Sequence, residues 1–456
     1  MSKISKNNLF FMFMILFMFL ITLQSNFLIL QVLFLIFLIV HVIINIKNKK
    51  ELGLTIFFVM LFQMVSKNYT KGVIFQIFQY IDEVLMILFL FSNIIEAKRI
   101  KIYNFEKKSF ILFIIFIGIG IVSNIYYKTQ RLLPIVIDTI TFSKFMVFYF
   151  FFRNYTIGED LEKTFKDLIF RTKFVTVFLF ILTTLNIFYE GLYPTFDYRY
   201  FMNSIQLFFP HPMYLSEATI LLMIVCLYDM KNGKKNNWMY IAALSIITFF
   251  TFRTKSIACV AAILLLYFLT CIFKVKNKYV LFVFVLIITL NISNEQLNFY
   301  YNNVNTTARY MIVNDSIEIA NDYFPLGSGF GTFGTNATNI FGSIFYNKYG
   351  YVEGSYKYQA MSDSFWPGVI AQTGWIGMSF YLLAMIVFIY EITKYIKKDS
   401  YFFVSALSIF LFEFMSTTSD TAFCNPMVTI YAIMLGWMFS YVNKESEKEK
   451  ENEKKN

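Results

Sequence analysis

The residues best suited to chemistry in this sequence are cations that lie between long apolar runs. They are Arg199, Arg253, Lys255 and Arg309. The planar guanidinium of arginine binds phosphate oxygens through two parallel hydrogen bonds, so several such cations together can hold a diphosphate. The alternative is that each side chain only extends its charged head to ordinary lipid phosphates.

Two further residues are candidates for proton transfer. Asp363 lies in Met361-Ser362-Asp363-Ser364-Phe365-Trp366-Pro367, and its carboxylate can accept a proton from a sugar hydroxyl. His211 lies in Phe209-Pro210-His211-Pro212 and titrates near neutral pH, which suits a base or a diphosphate contact. The alternatives are that Asp363 caps the following helix, and that His211 has a structural role at the mouth of a helix.

A short glycine-rich segment follows Pro325 and includes Gly327, Gly329 and Gly331. Such a segment lets backbone N–H groups approach an anion, although it is also compatible with a simple turn. No GK[ST] sequence follows and no strand precedes it, so it is neither a Walker A motif nor a dinucleotide fingerprint. The sequence also lacks a clustered Asp/His metal-ligand motif, so we expect no metal and no cofactor.

The elements that must position these residues are membrane-spanning helices. Of the 456 residues, 57% are hydrophobic and only 15% are charged, and apolar runs close to the roughly 20 residues of a transmembrane helix recur along the chain. The pattern predicts an all-α, polytopic integral membrane domain over 1–442, a charged tail over 443–456, and a long, partly helical loop over 294–365. Within this loop, an amphipathic helix is predicted to begin at Arg309 and to end before Pro325. About fourteen spans are predicted, at 8–24, 27–46, 52–66, 73–95, 109–127, 134–152, 174–190, 212–230, 237–252, 256–273, 279–293, 366–393, 401–417 and 425–442.

The basic residues cluster in alternate short loops, which is typical of the cytoplasmic side of a membrane. With the N-terminus inside, most of the 40 Lys and Arg residues lie on that side, including those of 153–173, where we expect a helix at the membrane interface. The net charge of +11 is therefore a topology signal rather than evidence for nucleic acid. The four cations and the loop 294–365 are predicted to face outward, against the bias of basic residues towards the cytoplasmic side. Each of these cations therefore needs either an anionic partner or a function.

The order of these features is similar to a known family. The features, in chain order, are a turn at Arg253, a long outer loop with Arg309, the segment Pro325-Leu326-Gly327-Ser328-Gly329-Phe330-Gly331, then Asp363-Ser364-Phe365-Trp366 and Gly374-Trp375-Ile376-Gly377. This order resembles that of bacterial O-antigen and capsule polymerases of the Wzy type and of the related O-antigen ligase superfamily. Two departures are that ligase-type members often have His in place of Asp363, and that the turn reads Arg-Thr-Lys rather than Ser-Arg. Either Arg253 or Lys255 is therefore the counterpart of the family's phosphate-binding cation.

The resemblance implies an inverting, metal-independent glycosyl transfer at the outer face of the cell membrane. An oligosaccharide repeat would leave its polyprenyl diphosphate carrier and join a growing lipid-linked glycan, as in capsule or exopolysaccharide biosynthesis. The four cations would bind the diphosphate, and Asp363 or His211 would deprotonate the acceptor hydroxyl. A flippase and a chain-length regulator are the partner proteins implied. The rival functions are a ligase that transfers the finished glycan, a transporter of lipid-linked glycans, and a scaffold.

Overall fold

The computed structural model describes residues 5–23, 28–95, 102–155, 161–189, 192–233, 236–277, 307–352 and 363–455, with a few positions within 280–298 and 354–361. Within these residues the chain is almost entirely helical. Most of the predicted span 279–293 and the first part of the predicted loop 294–365 lie outside them.

The helices are numbered in chain order. They are α1 (Lys6–Leu23), α2 (Leu28–Ile44), α3 (Lys49–Leu61), α4 (Gln63–Tyr69), α5 (Gly72–Ile95), α6 (Asn104–Tyr127), α7 (Leu132–Tyr155), α8 (Leu161–Phe188), α9 (Pro212–Asp229), α10 (Asn237–Phe250), α11 (Thr254–Tyr267), α12 (Ala308–Asp322), α13 (Asn336–Phe341), α14 (Ile344–Lys348), α15 (Phe365–Thr393), α16 (Ser400–Ser416) and α17 (Val428–Lys455). Short 3-10 or π segments follow α9, α11 and α15 and precede α17.

Eight of the described helices are long and apolar enough to cross a membrane, and a ninth span results if the bent pair α3 and α4 is counted as one. At 1.5 Å per residue, about 20 apolar residues reach across the hydrocarbon core. Helices α2, α10 and α16 are apolar but shorter. This is the architecture of a helical multi-pass membrane protein, while the predicted total of about fourteen spans stays a prediction.

One predicted boundary differs from the structure. The sequence pattern indicates an interfacial helix ending at Lys173 and a separate span at 174–190, whereas α8 runs without interruption over Leu161–Phe188. The reason is that Arg171 does not need to face water. It is 1% exposed and its guanidinium binds the carboxylate of Glu51, so the helix continues through a charged position inside the bundle.

The long loop is partly helical, as predicted. The amphipathic helix expected to begin near Arg309 and to end before Pro325 is α12, and it buries Ile312 and Ile319 in a small core of its own. Beyond it, the tip of the loop enters the main bundle. The ring of Phe330 is fully buried and packs against Phe142, with ring centroids 5.4 Å apart. The described part of the loop is therefore packed against the rest of the fold.

Helix α15 is interrupted at Gly374, whose φ of 64° and ψ of −175° are not helical. The interruption deprives carbonyls one turn earlier of their usual helical partners. The loop supplies replacements, because the N–H of Ser328 donates to the carbonyl of Ala371 (2.9 Å) and that of Gly329 donates to the carbonyl of Gln372 (2.8 Å). Loop and helix are thus joined by backbone hydrogen bonds.

The described chain also contains one small departure from the all-α prediction. A two-stranded antiparallel hairpin, β1 (Thr195–Arg199) and β2 (Met202–Ile205), connects α8 to α9. Thr195 pairs with Ile205 and Arg199 pairs with Met202, which leaves Tyr200 and Phe201 in the tight turn. The hairpin places Asp197 and Arg199 beside the start of α9, where His211 lies.

Candidate functional site

The predicted site residues come together at one end of the bundle, which we call the site end. It is formed by the hairpin, the turn between α10 and α11, and the ordered loop before α15. The charges of Arg199, Arg253 and Lys255 act on His211, and those of Lys255 and Arg309 act on Asp363. Lys255 therefore links the group around His211 with the group around Asp363, two residues that are 152 positions apart in the sequence.

The first group is centred on a carboxylate of the hairpin. Asp197 accepts a hydrogen bond from Nε of Arg199 at Oδ2 (2.6 Å) and one from Nη2 of Arg253 at Oδ1 (2.9 Å). The Arg253 guanidinium also lies over the ring of Phe196, 5.1 Å from its centroid. Partial burial favours a raised pKa for Asp197, but the hydrogen bond from Arg199 and the charge of Arg253 outweigh it and hold the pKa below its ordinary value.

His211 is the N-cap residue of α9. Its Nδ1 accepts a hydrogen bond from the backbone N–H of Met213 (3.1 Å), so the neutral ring carries its proton on Nε2. Burial, together with the charges of Arg253 and Lys255, lowers the pKa of His211 to about 4. A neutral ring with Nδ1 engaged is a hydrogen-bond donor at Nε2, so this geometry favours the structural alternative over a general base.

The second group joins the long loop to the start of α15. Arg309, near the start of α12, lies with Nη2 3.7 Å from Oδ2 of Asp363, and the Asp363 side chain is 47% exposed. Burial raises the pKa of Asp363 above its ordinary value, against the opposing charge of Arg309. Ser364, not Asp363, is the N-cap residue of α15. The helix-cap alternative is therefore not observed, and the carboxylate is accessible.

Lys255 lies between the two groups, in the first turn of α11. Its ammonium donates to the sulfur of Met213 (3.2 Å), and among the described residues no carboxylate lies within ion-pair distance of it. Neighbouring carboxylates still surround it at longer range, since its charge acts on Asp363, Asp420 and Glu217. Within the described residues, its charge is therefore not neutralised by a direct ion pair.

Three acidic residues beneath the site received no role from the sequence. Asp420, in the connection between α16 and α17, accepts hydrogen bonds from Asn425 (2.7 Å) and from the backbone N–H of Thr421 (2.8 Å). Burial raises the pKa of Asp420, although the charge of Lys255 opposes this. Glu217 and Glu413 are also buried nearby. The sequence feature that could have identified these acids is their position, because each lies in or beside an apolar span that ends at the site end.

The N–H groups of Gly327, Gly329 and Gly331, which the sequence suggests could approach an anion, donate to other parts of the protein instead. The N–H of Gly327 donates to the carbonyl of Tyr323 (2.9 Å), that of Gly329 to Gln372, and that of Gly331 to Oδ2 of Asp138 (2.9 Å). A Cβ at Gly329, where φ is +93°, would lie 2.4 Å from the Asn124 side chain. These positions are glycine because the loop packs closely on α6 and α15, and the geometry favours the turn alternative.

Comparison with protein-family models, with characterised proteins and with solved structures finds no match to this chain. Within the described residues, no three or more His, Cys, Asp or Glu side chains are grouped so that they could hold a metal ion. The site end therefore contains four cations and two exposed carboxylates, which are Asp197, paired with two of the cations, and Asp363. This combination suits a ligand with phosphate groups and a reacting hydroxyl.

Proposed function

We propose that this protein is a membrane polysaccharide polymerase. It transfers oligosaccharide repeat units from polyprenyl diphosphate carriers onto a growing lipid-linked glycan at the outer face of the membrane. The observation that carries the proposal is the convergence of Arg199, Arg253, Lys255 and Arg309 with Asp363 at one end of an apolar helical bundle. The resemblance to Wzy-type polymerases and O-antigen ligases supports the same assignment.

The proposed reaction uses each group for one task. The acceptor hydroxyl attacks the anomeric carbon of the donor sugar, its proton moves to the carboxylate of Asp363, and the bond from that carbon to the diphosphate oxygen breaks with inversion. The leaving diphosphate keeps the electron pair, so charge develops on its oxygens. Lys255, Arg253 and Arg309 stabilise that charge, which is the largest electrostatic demand of the step.

A transporter of lipid-linked glycans is the main alternative from another class, because charges inside the membrane often mark a transport path. Three of these charges satisfy one another in this chain. The ammonium of Lys144 binds Glu83 (2.7 Å) and Asp82, and Gln63 donates to Asp82 (2.7 Å). Internal pairing explains these three charges without a transport path, which supports the enzyme over the transporter.

The test is a reaction of the purified full chain with a polyprenyl-diphosphate oligosaccharide in detergent or nanodiscs. A ladder of products that grow by whole repeats is expected. Transfer to a different acceptor would indicate a ligase, and the absence of any transfer would contradict the enzyme assignment.

Variants of the cations sharpen this test. We expect Arg253→Ala and Arg309→Ala each to lower the rate of chain extension by about 100-fold or more, because one electrostatic contact to the leaving group is lost. Lysine at either position should restore little activity, since it lacks the two-pronged geometry of arginine. Lys348→Ala is the matched control, because this cation belongs to the same loop but pairs with Asp322 on the surface.

The control variant should retain full activity, and all variants should elute as the wild-type species on size-exclusion chromatography. Full-length polymer from the Arg253→Ala/Arg309→Ala double variant would contradict the proposed role of the site.

A further inference from the structure

The hairpin places one of its own carboxylates between two of the proposed phosphate-binding arginines. Each oxygen of Asp197 contacts a different guanidinium, at 2.6 Å for Arg199 and 2.9 Å for Arg253. Ser204 adds a third donor, since its hydroxyl donates to Oδ1 (3.0 Å). Two oxygens on two guanidinium groups is also the arrangement in which arginines bind a phosphate. The carboxylate therefore occupies the position of an anionic ligand.

This contact is built differently from a permanent ion pair. The side chains of Asp197 and Arg199 are 35% and 30% exposed, so water can replace this contact at little cost. Arg253 is less exposed, at 12%, so an anionic ligand rather than water is its expected replacement partner. The rest of the hairpin is held independently of these contacts, because Tyr200 and Phe201 pack against Phe252 of the turn between α10 and α11. The carboxylate can thus leave the arginines while the hairpin remains attached to the bundle.

We propose that Asp197 is an internal competitor of the ligand, which holds Arg199 and Arg253 in position until a diphosphate displaces it. The identity of the diphosphate as the head of a lipid-linked donor rests on the proposed function. The displacement itself requires only an anion with more charge than a carboxylate.

An internal competitor also provides selectivity. Ordinary phospholipids surround a membrane protein in large excess, and each of their phosphate groups carries a single negative charge. Such a group gains little by replacing a carboxylate of equal charge, whereas a diphosphate carries more charge and more acceptor oxygens. Asp197 therefore excludes the abundant lipid phosphates and admits the rarer diphosphate.

The experiment measures anion binding to the full chain in nanodiscs of zwitterionic lipid, by calorimetry with inorganic pyrophosphate and with inorganic phosphate as the probes. The pH is mildly acidic, so that inorganic phosphate is mostly a monoanion, as a lipid phosphate is. Asp197→Asn is expected to bind pyrophosphate about fivefold more tightly than the wild type, because a competing charge is removed. It should also bind phosphate, so that the preference for pyrophosphate decreases. Asp322→Asn is the matched control, since this exposed aspartate pairs only with Lys348 in the described chain, and it should bind as the wild type does.

A purely structural role of Asp197 predicts a change of pyrophosphate affinity in the opposite direction. If Asp197 only orients the arginines, Asp197→Asn will bind pyrophosphate equally or less tightly, and the proposal is overturned. Ser204→Ala provides a second variant, because it loosens the same carboxylate without removing its charge, and a smaller increase in affinity is expected. An absence of pyrophosphate binding to all of these proteins would also overturn it. These binding measurements do not depend on chain extension. A failure of the polymerase assignment would therefore appear in the activity assay and not in the binding assay.

Discussion

The two ends of the helical bundle both contain arginine–carboxylate pairs, but they hold them in different ways. At the end opposite the site, Arg171 and Glu51 are each 1% exposed and their charged atoms are 2.5 Å apart. Arg153 and Glu106 are equally buried there. At the site end, Asp197 is 35% exposed and Asp363 is 47% exposed, with 3.7 Å between Asp363 and its arginine.

This difference separates charges that build the protein from charges that are available to a ligand. A buried pair that loses one member leaves an uncompensated charge in a medium of low dielectric constant. An exposed pair exchanges its partner for water or for another ion with little change in free energy. The comparison therefore predicts that the same change of arginine to an uncharged residue damages folding at one end and function at the other.

The largest effect on folding is expected at Arg171. Arg171→Met leaves the buried carboxylate of Glu51 without its ion pair, so the free energy of unfolding should fall by about 3–5 kcal/mol. The measurement is thermal unfolding of the purified protein in detergent. The Glu51→Leu/Arg171→Met double variant should recover much of this loss, because neither charge then remains buried.

The control for this prediction is Lys166→Ala. Lys166 forms an i,i+4 pair with Glu162 in which both side chains are more than 60% exposed, so its loss should change stability by less than about 0.5 kcal/mol. Equal stability of the Arg171 and Lys166 variants would remove the distinction between the two ends.

An intermediate effect, on activity alone, is expected at Asp363. Asp363→Asn should lower the rate of chain extension by about 10²- to 10⁴-fold without lowering the thermal stability, because the proposed general base is lost. The base acts when deprotonated, and burial raises the pKa of Asp363 above its ordinary value of 3.8. The wild-type rate should therefore fall as the pH drops through this raised pKa. A residual activity in Asp363→Asn with the same acid limb would show that another group is the base.

The smallest effect is expected from the acid titration of Asp197. Its pKa is lowered in the folded protein, so its ion pairs stabilise the fold above the ordinary pKa of an aspartate and lose this contribution as the pH falls through the lowered value. Wild type should exceed Asp197→Asn in stability by at most about 1 kcal/mol near neutral pH, and the difference should vanish once the pH is below the lowered pKa of Asp197. A difference that does not depend on pH would indicate that packing, not charge, fixes the hairpin.

Much of this fold follows from the sequence because hydrophobic runs and basic loops report directly on helices. The helix at 308–322 was predicted from its apolar face, and Pro325 marks its end. The continuity of α8 was not predictable, because Arg171 resembles an interfacial cation until its partner, 120 positions away, is known. The hairpin was missed as well, since a short exposed pair of strands has no apolar periodicity to distinguish it.

The site residues, like the helices, could be predicted only in part from the sequence. The cations could be recognised individually, because each departs from the charge bias of the membrane side to which the sequence pattern assigns it. Their carboxylate partners could not, since Asp197 and Asp420 acquire meaning only from residues brought to them by the fold. The role of His211 was left open in the sequence, and the hydrogen bond from Met213 favours one alternative.

The interruption of α15 at Gly374 has a consequence for biogenesis. Two of its carbonyls obtain their partners from Ser328 and Gly329, in a loop that the ribosome makes about 45 residues earlier. Because unpaired carbonyls are costly in an apolar medium, we expect α15 and this part of the loop to reach their final state together during membrane assembly.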